Sequence, residues 1–334
     1  MTFGASAPWS LGVEEELFLV DAQTLDTVPL FSAVVPEPGP RLKPELFACI
    51  VETTTPICAD AQEVLAELVR LRREVASRAA GHGATILAAG AHPTAVGAGQ
   101  PVVPEQRYLD LVAKTGDRIF RQLVCGLHVH VGIRDRRTCL RALEGVMPWL
   151  PTLLALAANS PFAEGRACGM RSARAGRLLE LTSGGPPPVL RTWHEWETRT
   201  GRDYTRLHWD VRPHPRFGTL EIRIPDQQTD VQRSAALAAL AQALVVSVAD
   251  TAEPYDRALY AERRAAAAAG PPDEAEVAAL AALVAPAARE RGTWAVVESL
   301  LRSRPEAERQ LEVGLPEAVG DLAERTLAWP PCPQ

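Results

Sequence analysis

The run from Leu11 to Asp21, LGVEEELFLVD, places three consecutive carboxylates inside an otherwise apolar, strand-like segment. Successive side chains of a β-strand point to opposite faces, so Glu14 and Glu16 share one face and Glu15 takes the other. Like charges that close raise each other's pKa or require a counter-charge, and a divalent cation held by oxygen ligands is a common one. The segment therefore predicts half of a metal or cation site. The alternative is an exposed acidic edge strand that discourages aggregation.

Composition limits the class of protein. The chain has 334 residues, of which 47% are hydrophobic and 23% charged, as in ordinary soluble globular proteins. No run approaches the roughly 18 apolar residues of a membrane span, and the first residues lack the pattern of a signal peptide. We therefore expect a cytoplasmic protein without membrane association. The net charge of −6 argues against nucleic-acid binding.

Cysteine spacing and the absence of a phosphate-binding loop exclude two further kinds of site. The cysteines have no CxxC pairing, so we expect reduced, buried thiols rather than disulfides or a zinc site. No GxxxxGK[ST] motif occurs, so a nucleotide would not be bound by a P-loop. The cysteines are Cys49, Cys58, Cys125, Cys139, Cys168 and Cys332.

Strand-like runs alternate with amphipathic helices along the chain. Asp60 is predicted to cap a long helix that Gly81 and Gly83 end, and Glu52 lies among apolar neighbours in a strand-like run. The expected elements are a loop at 22–44, strands at 45–55 and 84–90, a helix at 105–122, a helix of about 20 residues before AANSPF, a glycine- and arginine-rich loop at 164–177, and helices from about 229 with a break at 270–272.

A second motif, LVCGLHVHVGI from Leu123 to Ile133, carries two histidines. Alternation places His128 and His130 on the same face of a predicted strand. A single histidine in a strand is more often a satisfied core residue than a metal ligand. Two histidines at a spacing of two, between glycines that allow close approach, favour the ligand interpretation.

A third motif, LHWDVRPHPRFGTLEIRIPD, begins at Leu207 and predicts a β-hairpin with PHPRFG as its turn. On the second strand Glu221 and Arg223 share a face. They could form a plain surface ion pair, or they could belong with the other carboxylates and histidines in a site.

Taken together, these motifs resemble the carboxylate-amine ligase family related to type 2 glutamate-cysteine ligases. The resemblance covers roughly residues 11 to 250 in the expected order, through GVEEELFLV, VETTTP, AGAHP, QRYLDL, CGLHVHVG, ANSPF and HWDVRPHPRFGTLEIRIPDQQ. It implies an α+β, glutamine-synthetase-like fold, in which an antiparallel sheet forms an active-site funnel and helices cover its outer face. It also implies ATP-dependent amide formation, in which a carboxylate is phosphorylated and an amine attacks the acyl phosphate.

The resemblance implies roles for particular residues. Phosphoryl transfer to an anionic carboxylate needs positive charge between the reactants, which two or three Mg²⁺ ions, or Mn²⁺, would supply. Arg223 would bridge the transferring phosphoryl group, because its guanidinium contacts two oxygens at once. Glu52 is placed among both the catalytic residues and the metal ligands, and no general base is assigned. The implied metal ligands are Glu14, Glu16, Glu52, His128 and Glu221. Candidates for substrate or nucleotide binding are His130, Arg107, Tyr108, Ser172, Arg174 and Arg212.

The implied partners are a glutamate-like carboxylate and an amine, with a homodimer suggested by the family. We expect one ligase domain over residues 1–334, with a sheet-containing catalytic core at 1–250 and a helical part at 251–334. The chain departs from the family pattern at TSGGPPPV, before Trp193, and at YAERRAAAAAG, residues 260–270. Both departures concern substrate identity. The alternatives are a metal-dependent amidohydrolase, whose barrel also carries HxH pairs, and a non-catalytic binding protein on the same fold.

Overall fold

The computed structural model describes residues 3–181, 183–201, 204, 207–250 and 254–330. Thr182, at the start of the proline-rich loop, and Cys332 lie outside these residues. The other five cysteines are free thiols; four are buried, as predicted, and Cys168 is half-buried.

Within these residues, seven strands form one antiparallel sheet, and four two-residue strands form two small ribbons. The strands are β1 Leu11–Asp21, β2 Leu42–Pro44, β3 Ile50–Thr54, β4 Ala84–Leu87, β5 Leu127–Gly132, β6 Phe162–Ala163, β7 Arg166–Ala167, β8 Gly184–Gly185, β9 His208–Trp209, β10 Val211–His214 and β11 Thr219–Ile222. The order across the large sheet is β10-β11-β5-β1-β3-β2, and β4 also pairs with β1.

Helices account for most of the remaining described chain. The α-helices are α1 Phe31–Val34, α2 Ala61–Ala80, α3 Gln106–Thr115, α4 Arg136–Val146, α5 Leu150–Ala157, α6 Ala173–Leu178, α7 Trp193–Thr200, α8 Val231–Val248, α9 Arg257–Ala269, α10 Glu274–Glu290, α11 Trp294–Arg302, α12 Glu306–Val313 and α13 Glu317–Thr326. A 3₁₀ helix, Gly116–Gln122, follows α3.

The two faces of the sheet follow from the alternation of β1. Val13 and Leu17 are fully buried on the outer face, where α2 and α8 pack against the strand. The α2 helix begins where predicted, because the Asp60 side chain accepts hydrogen bonds from the first free backbone N–H groups. The inner face of β1 is thereby left for Glu14 and Glu16.

The middle carboxylate of the EEE run has a structural partner on the outer face. Glu15 accepts hydrogen bonds from Arg72 of α2, with Nε to Oε2 at 2.8 Å and Nη2 to Oε1 at 2.7 Å. Gln227 and Ser234 donate to the same carboxylate at 2.8 and 2.6 Å. Both charged side chains are 0% exposed. This buried pair attaches α2 and the start of α8 to the centre of the sheet.

Several predicted boundaries were wrong. Residues 22–44, predicted as a loop, contain α1 and β2. The predicted strand 45–55 is regular only over β3, and the predicted helix 105–122 changes to 3₁₀ geometry at Gly116, whose φ is +63°. The long helix before AANSPF is two helices, α4 and α5, whose axes differ by 66°. The loop 164–177 contains β7 and the first residues of α6.

The hairpin and the C-terminal helices agree better with the boundaries predicted from the sequence. β10 and β11 pair around a turn at 215–218, although His208–Trp209 forms a separate strand with Gly184–Gly185. Helices occupy the described chain after residue 230, and the break at 270–272 separates α9 from α10.

One described helix, α8, has the length and mean hydropathy of a membrane span. The sequence analysis did not count this segment as a candidate span. Its apolar stretch is 78% buried against the rest of the chain, as in the core helix of a globular protein. The α4 and α5 helices reach the length and mean hydropathy of a span only when they are taken together across their bend.

Candidate active site

Chemically active side chains form a row across the inner face of the sheet. In the strand registers, Glu14 of β1 lies opposite His128 of β5, and His130 lies opposite Glu221 of β11. On the other side of β1, Glu16 lies opposite Glu52 of β3. Period-two alternation placed Glu14 with Glu16 and His128 with His130 on one face of their own strands, and the registers bring these strands together with Glu52 and Glu221.

The first group, which we call the histidine cluster, consists of Glu14, His128 and Glu221. One ligand atom from each lies within 4.8 Å of the others, and all three side chains are buried. Glu14 Oε2 is 3.5 Å from His128 Nδ1 and 3.5 Å from His130 Nε2. His130 Nε2 is 4.0 Å from Glu221 Oε1, so His130 borders the cluster.

The second group, the carboxylate cluster, consists of Glu16, Glu45 and Glu52, again with one oxygen from each within 4.8 Å. The sequence analysis did not identify Glu45. It lies between β2 and β3, outside the regular strands, so strand alternation could not place its side chain. A weak signal was present, since Glu45 opens the same run that carries Glu52.

Protonation differs between the two clusters. Burial raises the pKa of Glu16 to about 7, although Arg174 and the Gly126 N–H oppose the shift. Burial, with repulsion from Glu16 and Glu52, raises the pKa of Glu45 well above its ordinary value. Burial and the charge of Glu14 also raise the pKa of Glu52. Burial therefore favours the protonated forms of these three carboxyl groups when no metal is bound.

The histidine cluster has the opposite character. Burial disfavours the charged forms of Glu14 and Glu221, but the pKa of each lies well below its ordinary value. The imidazoles of His128 and His130, each with a ring nitrogen 3.5 Å from Glu14 Oε2, stabilise ionised Glu14, and Arg212 and other cations stabilise Glu221. Burial lowers the pKa of His128 to about 3, so its imidazole is neutral and has a lone pair available.

Two arginines hold Glu221, which is 0% exposed. Arg212 makes a bidentate contact, with Nε 2.6 Å from Oε2 and Nη2 3.1 Å from Oε1. Arg223 Nη1 donates to Glu221 Oε1 and lies 3.5 Å from His128 Nδ1. Arg212 therefore holds Glu221, and its predicted contact with substrate stays a prediction. Arg223 lies at the histidine cluster, and its predicted contact with a phosphoryl group stays a prediction.

The donor set fits a hard divalent cation such as Mg²⁺ or Mn²⁺. Among the described residues, neither His128 Nε2 nor His130 Nε2 has a hydrogen-bond partner, although both atoms are buried. Buried polar atoms are normally paired, so these two nitrogens favour an additional ligand. The five glutamates of the two clusters also supply the oxygen ligands that such cations prefer.

The remaining predicted binding residues lie around this row. Arg107 is exposed, and its guanidinium packs over the ring of Tyr108, 4.3 Å from its centroid. The Tyr108 hydroxyl donates to the Pro44 carbonyl oxygen at 2.9 Å, and Arg107 donates to the same oxygen at 3.4 Å. These two residues therefore hold the end of β2, next to Glu45. Their contact with a substrate stays a prediction.

Ser172 and Arg174 belong to the glycine- and arginine-rich segment, and both side chains are buried. Ser172 caps α6 and donates to Asp226 at 2.8 Å. The Arg174 guanidinium donates to the carbonyl groups of residues 223–225 at 3.0 to 3.2 Å. A Cβ on Gly126 would lie 2.2 Å from Arg174 Nη2, so this glycine allows the guanidinium to pass. Arg174 thus holds the backbone at Arg223, and its predicted anion contact stays a prediction.

The antiparallel sheet differs from the parallel β/α repeats expected of an amidohydrolase barrel. The HxH pair lies on a strand whose neighbours, β1 and β11, both run antiparallel to it.

Comparison with known proteins identifies the family. Residues 10–325 match the sequence model of glutamate-cysteine ligase family 2 (GCS2). The chain is 39% identical over 275 residues to "Putative glutamate--cysteine ligase 2-3" of Rubrobacter xylanophilus, with 78% of this chain and 76% of the relative covered. It is 37% identical over 253 residues to "Putative glutamate--cysteine ligase 2" of Roseiflexus castenholzii, covering 72% and 67%.

Solved structures confirm the predicted glutamine-synthetase-like fold class. A glutamate-cysteine ligase from Francisella tularensis, in complex with AMP, superposes with a TM-score of 0.73 at 13% identity, covering 98% of this chain and 89% of that one. A bifunctional glutathione synthetase from Pasteurella multocida gives a TM-score of 0.63 at 13% identity, covering 96% of this chain and 52% of the other.

Proposed function

Because the chain belongs to glutamate-cysteine ligase family 2, whose members form carbon–nitrogen bonds, we propose that it joins a carboxylate to an amine through an acyl phosphate made from ATP. The observation that supports this most directly is the pair of metal-competent clusters with Arg223 beside one of them. The substrate carboxylate oxygen would attack the γ-phosphorus of ATP, and the bond from that phosphorus to ADP would break. The amine nitrogen would then attack the acyl carbon, releasing phosphate and losing a proton.

Divalent cations bound by the two clusters would supply the positive charge that allows an anionic carboxylate to approach the triphosphate. The histidine cluster would bind through Glu14, neutral His128 and Glu221, and the carboxylate cluster through Glu16, Glu45 and Glu52. Since burial favours the protonated forms of the second cluster in the metal-free state, metal binding there would release protons.

Arg223 would stabilise charge on the transferring phosphoryl group. Its guanidinium is fixed by Glu221 and by the hydrogen bonds that Arg174 makes to the backbone at residues 223–225. A preorganised, permanently charged donor needs little reorganisation during the reaction, which is the main source of electrostatic catalysis. Arg212 would keep Glu221 ionised and oriented.

Glutamate is the first carboxylate to test, because the matched relatives are named as glutamate-cysteine ligases. The assay measures phosphate release from ATP and Mg²⁺ with glutamate and a panel of amines, cysteine included, and identifies products by mass. Amine-dependent release of phosphate, with a product lighter by one water than the sum of its parts, supports the proposal. Metal-dependent hydrolysis without ATP would instead favour a hydrolase.

Substitutions test the site assignment. Glu14→Gln and Arg223→Ala should each abolish ATP turnover while leaving the circular dichroism spectrum unchanged. Glu37→Gln and Arg118→Ala change the same residue types at exposed positions and serve as matched controls. Turnover retained in both site variants would refute the assignment.

A further inference from the structure

Lys43 connects the two clusters. Its Nζ lies 3.1 Å from Glu14 Oε1 and 2.7 Å from Glu52 Oε1, so one ammonium group contacts a carboxylate of each cluster. Lys43 is on β2, the edge strand of the sheet, directly opposite Glu52. Its side chain is 31% exposed, whereas the two glutamate side chains are 10 to 12% exposed. The sequence analysis placed Lys43 in a loop and gave it no role.

The contact to Glu14 leaves the metal-facing oxygen available. Lys43 contacts Oε1 of Glu14, while Oε2 faces His128 Nδ1 and His130 Nε2, each at 3.5 Å. Oε2 is therefore the Glu14 oxygen that Lys43 leaves available to a cation in the histidine cluster. The ammonium group and the metal would then share one carboxylate, with two positive charges a few ångströms apart.

Two cations this close repel each other, and the repulsion is strong where water is largely excluded. The ammonium group therefore stabilises the metal-free carboxylates and weakens the binding of a free metal ion. A triphosphate changes this balance, because it brings several negative charges and additional oxygen ligands. Metal that arrives with phosphates is less affected by the lysine than metal that arrives alone.

We propose that Lys43 is a resident counter-ion that keeps the affinity for free divalent cations low and makes tight metal binding depend on the phosphates of the nucleotide. This inference rests on the proposed function, since it takes the two clusters as the metal centre of a ligase. It adds a regulatory role for a residue that is not itself a metal ligand.

The experiment measures Mn²⁺ binding to the full chain by electron paramagnetic resonance, with and without a β,γ-imido analogue of ATP. Lys43→Met keeps the length of the side chain and removes its charge, and Lys43→Arg keeps the charge. Lys114 is the other lysine of the chain and is exposed on α3, so Lys114→Met is the matched control. We expect Lys43→Met to lower the Kd for free Mn²⁺ about tenfold and to reduce the gain from the analogue. Lys43→Arg and Lys114→Met should resemble the wild type.

An unchanged or higher Kd for free Mn²⁺ in Lys43→Met overturns the counter-ion role. So does an equally lowered Kd in Lys43→Arg, because charge would then not be the cause. If Lys43→Met does not fold, Lys43→Gln provides the uncharged variant. A wild type that binds no Mn²⁺ even with the analogue rejects the metal centre and this inference together. A wild type that binds Mn²⁺ and turns over ATP, with Lys43→Met unchanged, rejects only the role of Lys43.

Discussion

Removing Arg72 should destabilise the fold more than removing one partner of a surface ion pair would. The Arg72 guanidinium makes two hydrogen bonds to Glu15 and donates to the carbonyl oxygens of Gln228 and Thr229 at 2.8 and 2.6 Å. Arg72→Met removes all four and leaves a fully buried carboxylate with two neutral donors, Gln227 and Ser234. Breaking a buried pair by removing one partner costs about 3–5 kcal/mol. We expect a loss of that size in the free energy of unfolding.

The assay is urea unfolding followed by circular dichroism, with Arg70→Met as the control on the same helix. The Arg70 side chain is 50% exposed and pairs with Glu67 and Glu74, so its removal should cost about 0–1 kcal/mol. The double variant Glu15→Gln with Arg72→Met should recover part of the loss, because no buried charge is left unpaired. A loss in Arg72→Met within about 1 kcal/mol of the control, or no recovery in the double variant, would refute the reasoning.

Three further predictions concern the site and its support. Glu45→Gln should weaken Mn²⁺ binding at the carboxylate cluster about tenfold and leave binding at the histidine cluster intact. A titration followed by electron paramagnetic resonance distinguishes the two sites. An equal loss at both would contradict the division of the ligands into two clusters. The raised pKa values of Glu16, about 7, and Glu45 exceed those of the unfolded chain, so the metal-free protein loses stability as the pH rises from 4.5 through 7. Since metal needs the ionised forms, the rise in Tm caused by Mg²⁺ should be larger at about pH 8 than at about pH 6, and equal shifts would exclude these groups as ligands. Arg264→Met should lower the free energy of unfolding by about 3–5 kcal/mol, because it leaves buried Asp210 without its bidentate partner; a urea midpoint equal to that of the wild type would contradict this.

Period-two alternation predicted the centre of the site well, because a strand leaves each side chain only two directions. Glu14, Glu16, His128 and Glu221 lie on regular strands, and the shared face of each pair followed from sequence spacing alone. Which strand lies beside which is a matter of tertiary structure. The grouping of these residues into one site came from the resemblance and not from the alternation of side chains.

The residues that the sequence analysis missed or left without a role lie where backbone geometry is irregular or where the partner is far along the chain. Glu45 lies outside the regular strands, so no period could assign the direction of its side chain. Lys43 lies on β2, a strand of three residues in a segment predicted as loop, and its partner Glu14 lies 29 residues earlier. Arg174 was expected to grip an anion because it lies in a glycine-rich loop. Its guanidinium donates to backbone carbonyls about fifty residues later, a contact for which the local sequence contains no signal, and the anion contact stays a prediction.

The distribution of charge indicates where metal contributes most to the site. The histidine cluster already has cations on it, since Arg212 and Arg223 contact Glu221 and Lys43 contacts Glu14. In the carboxylate cluster, Lys43 reaches only Glu52, and among the described residues no arginine or lysine forms an ion pair with Glu16 or Glu45. Burial raises the pKa values in the carboxylate cluster, where nearby cations oppose it too weakly, whereas the imidazoles and cations around Glu14 and Glu221 outweigh burial and lower theirs. The carboxylate cluster is therefore the half of the site whose ionised form depends most on a bound cation, whereas the protein's own cations already keep the glutamates of the histidine cluster ionised and oppose the binding of a free metal ion there.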